Sequence, residues 1–291
     1  MNNTVILATP RSGSNFLQYT MTSSSRMYKG GEFFTGGSNF NIYSKNHLRN
    51  IYQYYSHDYK TDHALEIYQR MFEIMGSGEK EHKDRDALGP EHLSLLLGFL
   101  KKHPQQTWSP SLKKYVSKDQ LLIKAFYNHY NYENHFDIAE VMEMMDNVIV
   151  LYREDILKQF ISWRVANKTN VWFLPKKHKP IKNVKLLWKL EDYLCFYKEQ
   201  VKFYKDYKKH LPNFSHKKVV IAKYEDMDKK NYIKAIREIL QSKDINCKLG
   251  ESCSVKQSKP IDIADNFINK EKFLDDQPKI KDKLLLKIED L

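Results

Sequence analysis

"TVILATPRSGSNFLQ", residues 4–18, passes from a β-branched apolar run through a tight polar turn into helical spacing. A short apolar run bounded by turn residues reads as a fully buried strand. The polar turn holds Pro10, Arg11, Ser12, Gly13, Ser14 and Asn15. A strand–turn–helix connection gathers free backbone N–H groups and the positive end of the helix at one point. Gly13 permits a sharp turn and close backbone approach to a ligand. Ser12, Ser14 and Asn15 add side-chain donors, and Arg11 adds a rigid cationic fork suited to oxyanions. Pro10 stiffens the entrance. The stretch therefore reads as an anion cradle, against the plainer alternative of a βα turn with an N-capping serine.

An ATP-binding loop would read GxxxxGK[ST]. Here no glycine leads, and Ser14 rather than lysine follows Gly13. A kinase or NTPase of that type fits poorly.

Three further apolar runs read as buried parallel strands: Leu121–Phe126, Val148–Tyr152 and Lys218–Ala222. A short strand is also expected in "RMYKG". Helical spacing alternates with them at 15–25, 133–145, 154–168, 183–209 and 229–241. Alternation of this kind predicts an α/β three-layer domain with ligands at the carboxyl ends of the strands. Residues 41–118 break the alternation. They show helical spacing at 44–59, 62–75 and 90–103, and are read as a helical insert on the acceptor side, within one domain spanning 1–291. From 246 to 279 the periodicity is weak, and a short amphipathic helix is expected at 280–290.

The chain has 291 residues, 41% hydrophobic and 13% aromatic, which suits a packed core rather than disorder. No apolar run approaches the ~18 residues of a membrane span. The first residues lack a signal-peptide pattern. Cys195, Cys247 and Cys253 are scattered and form no CxxC pair, so neither zinc nor a disulfide framework is expected. These features predict a soluble, cytoplasmic protein. The net charge of +12 favours anionic partners or solubility alone. Nucleic-acid binding would need a basic stripe interleaved with aromatics, and none is evident.

"TPRSGSNFL" resembles the 5′-phosphosulfate loop of sulfotransferases that use 3′-phosphoadenosine 5′-phosphosulfate (PAPS). Downstream, "VIVLYREDILKQFISWRVA" (148–166) resembles the 3′-phosphate segment of that family, with an arginine ending a strand and a serine on the next helix. Arg153 and Ser162 occupy those positions. "VVIAKYEDM" (219–227) is similar to the family's strand followed by YEDL, and "SVKQSKPIDIADNF" (254–267) to its late loop over the nucleotide. The resemblance covers about half the chain. It is closest to the bacterial and carbohydrate-type branch, and it implies a P-loop-type fold with a central, mainly parallel sheet flanked by helices. It also implies PAPS as donor, 3′,5′-ADP as product and no required metal, with Lys256 and Gln257 reaching the 3′-phosphate or adenine.

Sulfuryl transfer needs an anion cradle, a cation near the leaving oxygen and a base for the acceptor proton. Arg11 is the first cation candidate. Lys124, which interrupts the apolar run "LLIKAFY", is the second. The resemblance offers two bases. Glu32 lies in "KGGEFFTGG", like the family's GE(P/F)F setting. His129 follows Lys124, at a longer spacing than the family's lysine and histidine. The acceptor stays open: a glycan, lipid, small metabolite or peptide presenting a hydroxyl or amine. The tyrosines of "IYQYYSHDY" (51–59) suit either sugar stacking or packing.

Overall fold

A computed structural model describes residues 3–22, 27–32, 93–94, 97, 105–109, 114–118, 120–126, 138–172, 184–214, 218–227, 236 and 263–287. The opening apolar run forms β1 (Thr4–Ala8), buried at every position. After the polar turn comes helix α1 (Ser14–Thr22), and then β2 (Met27–Glu32). β3 (Gln105–Ser109) and β4 (Lys114–Lys118) pair as an antiparallel hairpin. The chain continues through β5 (Gln120–Phe126), α2 (Ile138–Met144), β6 (Asn147–Tyr152) and α3 (Ile156–Thr169). It ends with α4 (Leu190–His210), β7 (Lys218–Lys223) and α5 (Lys270–Asp276).

The main sheet has five strands in the order β2-β5-β1-β6-β7, all parallel. Parallel strands need both faces covered, which explains the continuous apolar runs. One face carries Ile6, Ala8, Leu122, Ile149 and Leu151, packed with Leu17 and Met21 of α1. The other carries Val5, Leu7, Ile123, Val148 and Val150, packed with residues of α2, α3 and α4. The result is the expected three-layer α/β architecture. The chain leaves β1 on one face and β6 on the other. The carboxyl ends of these two neighbouring strands therefore bound the crevice where α/β sheets bind ligands.

Local chemistry sets the helix ends. Asp155 caps α3, its side chain accepting from the Lys158 N–H at 2.8 Å, and Asn170 closes it in the left-handed region at φ 53°. α4 carries Glu191 and Asp192 in its first turn and Lys208, Lys209 and His210 in its last, matching the helix dipole. Its buried face is Tyr193, Phe196, Gln200, Phe203, Tyr204 and Tyr207, and its lysines line the remaining surface. α3 meets α4 through Phe160, whose ring lies 5.4 Å from Tyr193 and 5.5 Å from Phe196. Truncating so buried an aromatic to alanine removes about 3–5 kcal/mol.

Two expectations need correction. Over its described part, the helix expected at 280–290 is the end of a 3₁₀ turn (Gln277–Lys283) and then, at Leu285, an isolated bridge to Asp155. Pro278 stands in its first turn. The following backbone is drawn to the start of α3: Ile156 N–H donates to the Leu284 carbonyl, and Leu286 N–H to that of Glu154. The weakly periodic stretch before it contains a 3₁₀ turn (Ile263–Asn266) and α5. Of the segment read as a helical insert, residues 105–118 carry the hairpin. The helices expected at 44–59 and 62–75 lie outside the described residues. Of the helix expected at 229–241 only Ile236 is described, buried on the α1 face.

Candidate functional site

The turn after β1 closes through Ser12 N–H to the Thr9 carbonyl at 3.3 Å. Pro10 takes the second position and Arg11 the third, at φ 67°. That is the pattern of a type II turn, whose third position favours glycine or asparagine. A branched cation held in the left-handed region at a strain of about 1–3 kcal/mol is there for its side chain. Gly13 follows at φ 91°. A Cβ there would come within 2.3 Å of the Tyr224 ring, so only glycine fits on both counts. Ser14 begins α1, whose first-turn amides lack intrahelical partners.

Three cations gather here, Arg11 of the turn itself and two from distant parts of the chain. Arg11 Nε donates to Ser162 Oγ at 3.0 Å, and its Nη1 donates to the Trp172 carbonyl just past α3. Arg153, one residue beyond β6, lies with its guanidinium 4.7 Å above the Tyr224 ring. Its Nε is 3.9 Å from Glu225 Oε1. Lys124, 2% exposed, donates from Nζ to Asn15 Oδ1 at 2.5 Å. Glu225 is largely engaged elsewhere, its carboxylate oxygens accepting from the Glu154 and Asp155 amides at 3.1 and 3.2 Å.

Burial and the nearby positive charge of Arg153 hold the Arg11 guanidinium down at about 10, from an ordinary 12.5. Two arginines close enough to repel each other, beside a helix N-terminus, form a site whose electrostatics a bound anion would satisfy. The remaining polar atoms suit the same ligand. Among the described residues Ser12 Oγ is buried without a hydrogen-bond partner, and so is Arg153 Nε. Both are donors. The residues present fit a phosphate- or sulfate-bearing group.

The structure thus brings together Pro10, Arg11, Ser12, Gly13, Ser14, Asn15, Lys124, Arg153 and Ser162. It pairs Ser162 with Arg11 across 151 residues of sequence. Glu32 ends β2 and pairs in register with Lys124 of β5, at the same edge of the sheet as the cradle. His129, Lys256 and Gln257 lie outside the described residues. Sequence reasoning missed Tyr224 as the ring between Gly13 and Arg153, and Gln159 and Tyr204 as buried polar residues behind the turn. Tyr224 stood within the quoted "VVIAKYEDM", but nothing local to it marks a contact with residue 13.

No family model matches the chain, and no curated protein matches it. Among solved structures, the sulfotransferase domain from the Synechococcus PCC 7002 olefin synthase is similar, with a TM-score of 0.43 and 13% identity. The similarity spans 91% of this chain and 85% of that one. A likeness of that size transfers neither role nor substrate. Among the described residues no helix is long and apolar enough to cross a membrane.

Proposed function

We propose that this protein transfers a sulfuryl group from PAPS to a hydroxyl or amine of a small-molecule or glycan acceptor. One observation carries the reading: Arg11 and Arg153 converge from the carboxyl ends of adjacent strands onto a glycine-bearing turn at a helix N-terminus. A donor with an anion at each end of its ribose needs such paired cations. The motif resemblance at 8–18, 148–166, 219–227 and 254–267 supports the same assignment.

In this reading the 5′-phosphosulfate lies in the cradle of residues 11–15. Arg153 and Ser162 hold the 3′-phosphate, with Lys256 and Gln257 from the late loop. The sulfur–oxygen bond to the phosphate breaks as a bond from sulfur to the acceptor forms. Arg11 and Lys124 stabilise the charge that develops on the leaving phosphate oxygen. The acceptor's proton passes to Glu32, with His129 as the competing base. The β2–β5 register supports Glu32, because it sets the residue beside Lys124.

The test is a thermal-shift panel of 3′,5′-ADP, ATP with Mg²⁺ and single-stranded DNA, followed by transfer of labelled sulfate to an acceptor library. Stabilisation by 3′,5′-ADP alone is expected. At 100 times Kd it amounts to about 2.7 kcal/mol. Stabilisation by Mg-ATP without response to 3′,5′-ADP would replace the reading with a kinase or NTPase, and response to DNA alone with a nucleic-acid-binding protein.

A further inference from the structure

Behind the anion turn lies a buried hydrogen-bond chain. Tyr204 Oη of α4 donates to the Leu151 carbonyl of β6 at 2.9 Å, and stands 3.4 Å from Thr9 Oγ1. Gln159 Nε2 of α3 donates to Thr9 Oγ1 at 2.9 Å and to the Pro10 carbonyl at 2.7 Å. A longer contact at 3.5 Å reaches Gln200 Oε1. Thr9, Gln159 and Tyr204 are each fully buried.

Counting hydrogens gives this chain a single direction. The Leu151 carbonyl can only accept, so it takes the one phenolic hydrogen of Tyr204. Tyr204 Oη must then accept from Thr9, whose hydroxyl hydrogen is used there. Thr9 Oγ1 in turn accepts from Gln159. The Pro10 carbonyl also only accepts, which fixes the Gln159 amide with its nitrogen toward the turn. Burial pushes the Tyr204 phenol well above its ordinary value, so it remains a donor.

The orientation leaves Gln159 Oε1 buried without a partner among the described residues. A buried orphan acceptor is unfavourable, and an apolar side chain of similar size would avoid it. The bonds to the turn are what the glutamine adds. Together with the bond from Tyr204 to Leu151, two residues before Arg153, they tie the residue before Pro10 to β6 through α4 and to α3.

We infer that Thr9, Gln159 and Tyr204 are positioning residues that set the spacing of Arg11 against Arg153, and with it the affinity of the site for a two-ended anion. The inference rests on the anion-site reading above and names residues that touch no substrate.

The experiment compares Thr9→Val, which keeps the volume and loses the hydroxyl, with Thr9→Ser, which keeps the hydroxyl. Tyr204→Phe is the second arm. Melting temperature and the Kd values for 3′,5′-ADP and inorganic pyrophosphate are measured on the full chain. Thr9→Val and Tyr204→Phe are expected to weaken both anions at least about tenfold, since small displacements of positioning groups have such effects. Thr9→Ser is expected to bind within about twofold of the parent, with restored affinity tracking the hydroxyl and not the melting temperature. If Thr9→Val and Tyr204→Phe are folded and bind both anions like the parent, the positioning role is overturned while the anion site stands. If the parent binds pyrophosphate but not 3′,5′-ADP, the transfer reading falls, and the pyrophosphate series alone decides the positioning role. A parent that binds neither anion overturns both.

Discussion

Arg11 and Arg153 occupy equivalent places just beyond two adjacent parallel strands, yet they are held by opposite means. Arg11 sits in a strained left-handed turn, and the oxygens described around its guanidinium, from Ser162 and Trp172, are neutral. Arg153 sits in ordinary backbone, stacked on Tyr224 with the Glu225 carboxylate at 3.9 Å. The first is buried and kept charged at a disadvantage. The second is partly compensated before any ligand arrives. The contrast teaches that the turn after β1 holds its cation at a cost in strain and burial, whereas the cation after β6 is placed by a ring and a carboxylate.

The sharpest way to break that comparison is Arg11→Gly. Glycine suits φ 67° and removes a buried charge, so the melting temperature should hold or rise by a few degrees. Transfer of labelled sulfate should fall by about 10²–10³-fold, as for loss of one charge-stabilising donor. A variant that lost stability and activity together would make Arg11 a structural residue.

Next in size is Glu32→Gln. Turnover should drop about 10²–10⁴-fold, while 3′,5′-ADP affinity measured by calorimetry stays at the parent value. Unchanged turnover would pass the base role to His129.

Arg153→Ala sharpens the other half of the comparison. It should weaken 3′,5′-ADP about tenfold or more, in keeping with one lost charge-assisted hydrogen bond, and weaken AMP far less. Equal losses for the two nucleotides would remove the 3′-phosphate assignment.

The smallest effect is in pH. Because Arg11 titrates near 10 rather than 12.5, the folded chain binds fewer protons than the unfolded chain between those values. Its contribution to folding therefore rises with pH across that window, while its contribution to anion binding is lost there. Affinity for 3′,5′-ADP should be flat from about pH 7 to 9 and decline above about pH 10. The part of the decline due to Arg11 should vanish in Arg11→Gly.

Much of the sheet was legible because its central strands are buried on both faces, and the edge strand β7 carries a similar apolar run although Ile221 is exposed. Thr4–Ala8, Leu121–Phe126, Val148–Tyr152 and Lys218–Ala222 stand out as apolar runs, and each lies within a strand or coincides with it. The turn at residues 10–15 was legible for a different reason: it is local, so adjacency in sequence is adjacency in space. The C-terminal segment was misread because the amphipathic spacing of 280–290 competes with backbone pairing to Glu154 and Ile156, which no local pattern reveals. The same limit hid the partners of the site. Ser162 was picked out for its place on the helix after β6, but its bond to Arg11 depends on how α3 crosses the sheet.

By itself, then, the sequence determined the alternation of strands and helices, the glycine-bearing turn after β1 and the arginine at the end of β6, all of which are encoded by neighbouring residues. Only the tertiary structure decided that β1 and β6 lie side by side with their crossovers on opposite faces. That arrangement sets Arg11 against Arg153, slides the Tyr224 ring against Gly13, and ties Thr9 to α3 and α4. These are contacts between residues more than a hundred positions apart, and they form because both faces of a parallel sheet must be covered before its apolar strands can leave water.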